Sequence, residues 1–569
     1  MKILGISAYY HDSSAALLVD NTVVAAAQEE RFTRIKHDNS FPINACRFCL
    51  EKVSLKLSEI DAIVFYEKPF LKFERLLVSY ITTFPKSYNM FIKTMPIWLK
   101  DKLNMRSNIR KVLKAEFGFA PSNIKFVEHH LAHAAFAYCA SGFESADIIV
   151  VDAVGEWATT SIFKAYQNMI EVVSEKHFPD SIGLLYSSFT QFLGFRVNSD
   201  EYKVMGLAPY GEREAEETNR FIDLITTELV DIKDDGSINL NLGYFKFHYS
   251  DRMIPIRKWE KLFGIKLRSE GSEITQSHKN LALAIQIITE NILNKIALSA
   301  KSSSHNRNLC LSGGVTLNCA ANGYLLKKDI YENIYVPFAP GDCGCSIGAA
   351  MAYSMLTSRE RHYSLSPYLG PEYSGLEIGY ILQQSGFQFK ELKDRDELCI
   401  ETARLIDEGN IIGWFQGRME VGPRALGNRS ILVDARRAKM KDEVNSRIKF
   451  RESFRPFAPS VLAEYTDQFF NTHIESPYMM FTVPVKTDGL PAITHVDGTA
   501  RIQTVTKSEN PLYHRLLSAF YKRTGCPAIL NTSFNVMGEP IVCTPSDALS
   551  TFKKSGLDYL IIYNYVVSK

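Results

Sequence analysis

Leu309-Cys310-Leu311-Ser312-Gly313-Gly314-Val315-Thr316-Leu317-Asn318 decides the architecture. An apolar run feeds two glycines and then a helix-forming segment, the strand–turn–helix pattern of a phosphate-type loop. Paired glycines let backbone N–H groups approach a phosphate or an adenosine, and the start of the helix adds positive potential. A strand run followed by a turn of this kind occurs once more, near Asp12-Ser13-Ser14. Two such loops on two halves predict duplicated lobes around a nucleotide cleft. Outward from them, residues 3–8, 15–19 and 23–27 read as hairpins, with Asp20-Asn21 as a turn. Short apolar runs at 62–66, 124–127, 148–151, 309–311 and 334–336 alternate with helical periodicity, which predicts an α/β fold.

The 569 residues exceed what one hydrophobic core organises, so two or more domains are expected. Residues 357–371 are polar and read as the linker, and a fresh α/β segment follows, with a helix at 398–408 and a strand at 411–415. The expected division is therefore 1–360 and 361–569. A net charge of +2 gives no reason to expect a long nucleic acid as partner. The aromatic stretch from Phe70 to Leu103 is interrupted by Lys72, Glu74, Arg75, Lys86, Lys93, Lys100 and Asp101. It falls short of the roughly 20 apolar residues a membrane span needs. It reads as a helical insertion, placed at about 68–118, covering a cleft, with a peripheral membrane contact as the alternative. Cys46 and Cys49 have no second pair at zinc-site distance and read as buried thiols on an amphipathic helix. Met1-Lys2-Ile3-Leu4-Gly5-Ile6-Ser7 enters a strand pattern directly, so reduced thiols and a cytoplasmic location are expected.

The densest chemistry is Glu128-His129-His130-Leu131-Ala132-His133. His129 and His133 are four apart, so on a helix both rings project from one face, as two metal ligands must. Asp152 ends an apolar strand, and Asp342 lies in Pro340-Gly341-Asp342-Cys343-Gly344 just before a helix. Two imidazoles and two carboxylates suit Fe, Mn or Zn better than Mg. Lys203, in Glu201-Tyr202-Lys203-Val204-Met205-Gly206, would add a cation beside the Gly313–Gly314–Asn318 loop.

The second domain has its own pattern. Gly417-Arg418 follows a strand, then come Arg424, Arg429, Lys449, Arg451 and Arg455. On a near-neutral protein such a cluster repels itself unless an anion offsets it, and guanidinium groups bind phosphate bidentately. A network with Glu420, Asp434, Glu443 and Glu452 is the alternative.

With these motifs together the chain resembles the O-carbamoyltransferases of nodulation-factor and antibiotic biosynthesis. The resemblance rests on His129-His130-Leu131-Ala132-His133-Ala134, the Val151-Asp152 to Trp157 loop, Glu201 to Gly211 and Ser312 to Asn318, in that order. It implies an N-terminal domain like the metal-dependent tRNA threonylcarbamoyl-transfer enzymes, with duplicated actin/Hsp70-type (ASKHA) lobes. The C-terminal domain would be like the enzymes that make threonylcarbamoyl-AMP. It implies that His129, His133, Asp152 and Asp342 hold a metal, usually iron, and that carbamoyl phosphate and ATP yield a carbamoyl-adenylate and pyrophosphate. Arg418, Lys449, Arg451, Arg455, Arg501 and Asn531 are then the candidates for contacting those co-substrates. Ala153 and Asp200 depart from the glycines expected there, and Asp200 places an extra carboxylate beside the Glu-Tyr-Lys motif.

The expected reaction moves the carbamoyl group to a hydroxyl of a small molecule, with His11, beside Asp12, and His130 as candidate bases. No nucleic acid and no membrane span are expected, and a homodimer is compatible with this reading. A small-molecule kinase of the same fold would release ADP instead. A tRNA-modifying enzyme would need a basic surface, and a nucleotide-gated interaction protein would not need the metal ligands.

Overall fold

The computed structural model describes residues 1–358 and 365–569; residues 359–364 of the polar stretch read as linker lie outside them. The chain forms two compact units. The first comprises Met1–Ser7, Ala15–Val24 and Leu50–Leu365, and the second comprises Ala8–Ser14, Ala25–Cys49 and Ser366–Lys569.

Two five-stranded sheets organise the first unit. One holds β1 (Lys2–Ser7), β2 (Ser14–Val19), β3 (Thr22–Gln28), β4 (Ala62–Phe65) and β5 (Ile124–Phe126), in the order β3-β2-β1-β4-β5. Asp20 and Asn21, both with left-handed φ, make the two-residue turn between β2 and β3. The other holds β6 (Ser145–Val151), β7 (Ala158–Tyr166), β8 (Met169–His177), β9 (Asn308–Ser312) and β10 (Asn333–Tyr335), in the order β10-β9-β6-β7-β8. Read from its third strand, the second sheet repeats the first: three consecutive strands, then a fourth parallel to the first and a fifth parallel to the fourth. The duplicated α/β lobes expected from the two loops are therefore present as a duplicated strand order. This is the ASKHA topology.

The helix His129–Ser141 connects the halves and crosses the helix Cys345–Ser358 closely. A Cβ on Gly348 would lie 1.9 Å from the Ala132 carbonyl oxygen, and one on Gly344 would lie 2.0 Å from that of Ala339. Only glycine permits that approach. Alanines supply the rest of the seam: Ala132, Ala134, Ala135 and Ala137 are fully buried. The insertion consists of the helices Pro69–Thr82, Tyr88–Ile97 and Met105–Phe117, with a π-helical turn at Trp98–Lys102. The helix Gln276–Ser304 is long and apolar enough to cross a membrane, but 67% of its most apolar window is buried, as in a core helix.

The second unit is built on an eight-stranded mixed sheet. Its strands are β11 (Gln388–Glu391), β12 (Ile412–Phe415), β13 (Arg429–Asp434), β14 (Ala458–Leu462), β15 (Gln503–Val505), β16 (Ala528–Ser533), β17 (Tyr559–Ile562) and β18 (Tyr565–Ser568). They run in the order β11-β18-β17-β12-β13-β16-β14-β15. The helix Arg395–Asp407 precedes β12, as its pattern predicts, and starts on Asp394, whose carboxylate accepts from the N–H groups of Asp396 and Glu397.

Candidate metal centre and cation cluster

In the first unit four expected metal ligands meet, each delivered just beyond the C-terminal end of a strand. His129 follows β5, Asp152 follows β6, and Asp342 follows β10. The glycines Gly313 and Gly314 follow β9. Ligand sites of open α/β sheets lie at such carboxyl ends. His129 Nε2 lies 3.2 Å from His133 Nε2, 2.9 Å from Asp152 Oδ2 and 3.6 Å from Asp342 Oδ1. His133 Nε2 lies 3.5 Å from Asp152 Oδ2 and 3.7 Å from Asp342 Oδ1. Donors about 2.1 Å from one shared cation would be about 3.0 Å apart if octahedral neighbours and about 3.4 Å apart if tetrahedral. The four side chains are all buried. Two imidazoles aimed at each other in a buried pocket with two carboxyl groups fit a divalent ion, which would satisfy both rings and both carboxylates at once.

The electrostatics agree. Burial disfavours a charged His133, yet Cys345, Asp152 and Asp342 together push its pKa well up. Burial likewise opposes ionisation of Asp152, and His129 and His133 more than offset it, holding that carboxyl well below its usual range. Cys345 was not expected here. Its Sγ lies 3.3 Å from His133 Nε2, and it belongs with His129, His133 and Asp342 to one group of potential donors. Burial pushes its thiol up to about 12, against the opposing pull of His133.

Surrounding groups fix the ligands. Asp152 Oδ1 accepts from the Ala153 N–H at 2.8 Å and the Gly314 N–H at 3.3 Å. A Cβ on Gly314 would sit 2.9 Å from that oxygen, and Gly313, at φ 93°, packs against the Val151 backbone. The glycines that read as a phosphate loop thus also seat a metal-ligand candidate. The buried Glu156 carboxylate accepts from the His129 N–H at 3.1 and 3.2 Å and from the Lys68 N–H at 2.7 Å, serving the first turn of the helix that carries the imidazoles. Gly155 lies against the rings of His129 and His130, where a Cβ would come within 3.1–3.2 Å. His130 points elsewhere: its Nδ1 meets Ser161 Oγ at 2.7 Å, which donates to Glu175 Oε1 at 3.2 Å. Burial, reinforced by the charge of His129, pulls the pKa of His130 well down and leaves the ring neutral.

The remaining nucleotide-loop candidates are engaged locally. Lys203 Nζ lies 3.2 Å from Asp200 Oδ2, so the carboxylate that departs from the resemblance is partnered within its own turn. Asn318 caps the helix Cys319–Lys327 through the Ala321 N–H and exchanges amide hydrogen bonds with Gln286.

In the second unit Asp12 is held by two histidines. Its Oδ2 lies 3.0 Å from His11 Nδ1 and its Oδ1 2.8 Å from His37 Nδ1. Burial opposes the charge of Asp12, but hydrogen bonds from both rings outweigh it and hold the carboxyl well below its usual range. His37 is 25 residues away in sequence, and no local spacing announces it.

Of the cationic residues, Lys449, Arg451 and Arg455 belong together. Lys449 is buried, and its Nζ donates to Ser533 O at 2.5 Å, Asn535 Oδ1 at 2.8 Å and Asn535 O at 3.0 Å. Burial pushes its pKa well down, and Arg451, Arg455 and Lys36 push the same way. Those oxygens offset part of the penalty. Arg451 is oriented by Asn445, with its guanidinium 4.2 Å from the Phe457 ring centroid, and Arg455 lies 3.6 Å from Glu452. Arg418 donates to the Leu369 and Gly370 carbonyls. Arg501 Nε is buried without a hydrogen-bond partner. Asn531 and Arg429 also have partners within the unit. Asn531 donates to Ala425 O, Ser460 Oγ and Gln503 Oε1 in the sheet core, while its Oδ1 is buried without a hydrogen-bond partner. Arg429, fully buried, donates to the Gln416 and Pro371 carbonyls. Glu420 accepts from three backbone N–H groups, of Leu426, Asn428 and Arg429, and so serves as a loop anchor.

Comparison with known proteins gives the lineage. The carbamoyltransferase N-terminus profile matches residues 2–351, and the carbamoyltransferase C-terminus profile matches residues 403–569. An uncharacterised protein of Synechocystis is 44% identical over 100% of this chain and 96% of its own length. Nodulation protein NolNO of Sinorhizobium fredii is 39% identical over 99% of this chain and 80% of its own. The 3'-hydroxymethylcephem-O-carbamoyltransferase of Amycolatopsis lactamdurans is 34% identical over 49% of this chain and 52% of its own. The chain belongs to the carbamoyltransferase family.

Proposed function

We propose that this carbamoyltransferase uses ATP and carbamoyl phosphate to carbamoylate a hydroxyl of a small-molecule acceptor, through a carbamoyl-adenylate. The observation that carries the reading is the buried His129–His133–Asp152–Asp342 convergence in a chain of this family. In the second unit Lys449, Arg451 and Arg455 hold the phosphates of carbamoyl phosphate and ATP, and Arg418, Arg501 and Asn531 are the further candidates for contacting those co-substrates. Carbamoyl phosphate, ATP and water there give carbamoyl-adenylate, phosphate and pyrophosphate. In the first unit His129, His133, Asp152 and Asp342 would hold a divalent ion, of which Fe2+ suits the mixed nitrogen and oxygen donors, as would Mn2+ or Zn2+. When bound, that ion supplies Lewis-acid stabilisation of the carbamoyl oxygen. Gly313 and Gly314 leave room for the nucleotide backbone to approach, and Lys203 and Asn318 flank that loop.

In the transfer the acceptor oxygen bonds to the carbamoyl carbon, AMP leaves, and the acceptor's proton goes to His130, which burial keeps neutral and whose Nε2 has no hydrogen-bond partner. In the second unit Asp12 accepts from His11 Nδ1 and so fixes the tautomer of that ring, as the orienting carboxylate of a His–Asp pair does. A hydroxyl acceptor agrees with the name of the Amycolatopsis relative. The ten cysteines are free and buried, which suits the reducing cytoplasm.

Incubation with ATP and carbamoyl phosphate, followed by nucleotide and phosphate analysis, tests the reading. AMP with pyrophosphate is expected. ADP as the only nucleotide product would replace this reading with a kinase.

A further inference from the structure

The helical insertion exposes its apolar side chains. Phe70, Phe84 and Ile81 are 70%, 69% and 65% exposed, and Tyr88, Ile92 and Leu99 exceed half exposure. Nine of the 25 exposed large hydrophobic residues among the described residues fall between positions 70 and 99. Single exposed apolar residues are ordinary, whereas this concentration marks an interaction surface. The exposed residues share stripes. Phe70 and Ile81 are eleven apart on the helix Pro69–Thr82, about three turns, and Tyr88 and Ile92 are four apart on the helix Tyr88–Ile97. Phe84 sits in the turn between those helices. Tyr80 and Met95 are the inward-packed members of these helices: both are buried, and Tyr80 packs edge-on against Phe91.

Charge selects the occupant. From Pro69 to Phe117 the sequence has ten Lys and Arg against three Asp and Glu, while the rest of the chain has 55 against 60. The protein's positive charge is thus concentrated in the segment that exposes the apolar stripes. Lys86, Lys93, Lys100, Arg110 and Lys111 are exposed there. Lys93 lies 3.9 Å from Asp251, a distant ion pair, and Lys86 lies over the Tyr249 ring. Glu74 and Glu116 are exposed acids among them. A second copy meeting this face across a two-fold axis would set like charge against like. An anionic bilayer complements both components, taking the apolar side chains into the acyl boundary and the ammonium groups at its phosphates.

We infer that the insertion is a peripheral membrane anchor that docks this enzyme on anionic lipid surfaces. It lies on the bilayer and does not cross it. Co-sedimentation of the full-length protein with phosphatidylglycerol-containing vesicles, and with pure phosphatidylcholine vesicles, tests this. The protein is expected to pellet with the former, to be released by high salt, and to stay in solution with the latter. Lys100→Glu combined with Lys111→Glu should weaken partitioning by roughly five-fold or more for each charge removed. Phe70→Ser with Ile81→Ser and Phe84→Ser should abolish pelleting while far-UV circular dichroism and the metal-dependent rise in melting temperature stay unchanged, which shows that the unit carrying the insertion is folded. Failure of the wild type to pellet with anionic vesicles overturns the inference. So does a wild-type dimer in light scattering that the triple variant converts to monomer, because the patch would then be covered by a second copy.

Discussion

His133→Ala separates the two centres. His133 is buried, and its Nε2 reaches His129, Asp152, Asp342 and Cys345 within 3.2–3.7 Å. Groups that only orient metal ligands are worth about 10–100-fold in affinity. Removing a ligating imidazole should therefore weaken the ion by at least about 100-fold, or about 2.7 kcal/mol. In wild-type protein an ion at about 100 times its Kd adds about 2.7 kcal/mol of stability, raising the melting temperature by roughly 5 °C or less for a unit of this size. Truncating a buried ring also costs packing. The informative quantity is therefore the difference between metal-loaded and metal-free melting for each protein, in which that loss cancels. Titration with Mn2+ or, anaerobically, Fe2+ should shift the wild type and leave the variant in place. Pyrophosphate release from ATP and carbamoyl phosphate should persist in the variant, while carbamoyl transfer is lost. A wild-type metal shift in His133→Ala, or equal loss of pyrophosphate release and transfer, would refute the assignment.

Other outcomes follow from the same geometry. Gly314→Ala puts a methyl group 2.9 Å from Asp152 Oδ1, so metal retention by elemental analysis should fall about ten-fold or more with the fold intact. Cobalt substitution should show no sulfur-to-cobalt charge-transfer band, because two imidazoles and two carboxylates already supply four donors; a strong band would place sulfur among the ligands. Lys449→Met should suppress pyrophosphate release without lowering metal binding, and unchanged kinetics would remove the cation cluster from donor activation. Burial raises the pKa of Glu509 from 4.5 to about 7, so the folded state binds more protons than the unfolded state between those values. Stability should fall as pH rises through that window, and Glu509→Gln should flatten the slope in chemical denaturation.

The parts of this molecule that were legible in sequence are those encoded by short-range geometry. His129 and His133 share a helix face at a four-residue interval, and Asp152 sits where an apolar strand ends. The glycine pair at 313–314 declared a tight turn. What was not legible depends on partners distant in sequence. His37 meets Asp12 only through folding, and Cys345 reaches His133 only because Gly348 lets two helices approach. β8 carries Glu171, Ser174, Glu175 and Lys176 on an almost wholly exposed strand, so no apolar alternation announces it. Arg429 looks like a ligand contact in composition, and only its buried hydrogen bonds show it holding the sheet and its loops together.

The repeated strand order gives the metal centre a mechanical meaning. Both imidazoles come from the helix that follows the first sheet, and both aspartates from loops of the second. A bound ion would therefore act as a staple across an ancient duplication seam. If the chain were cut in the short connection at residues 142–144, the two fragments should reassemble more tightly when the ion is supplied. A cofactor placed for chemistry would also serve as a joint.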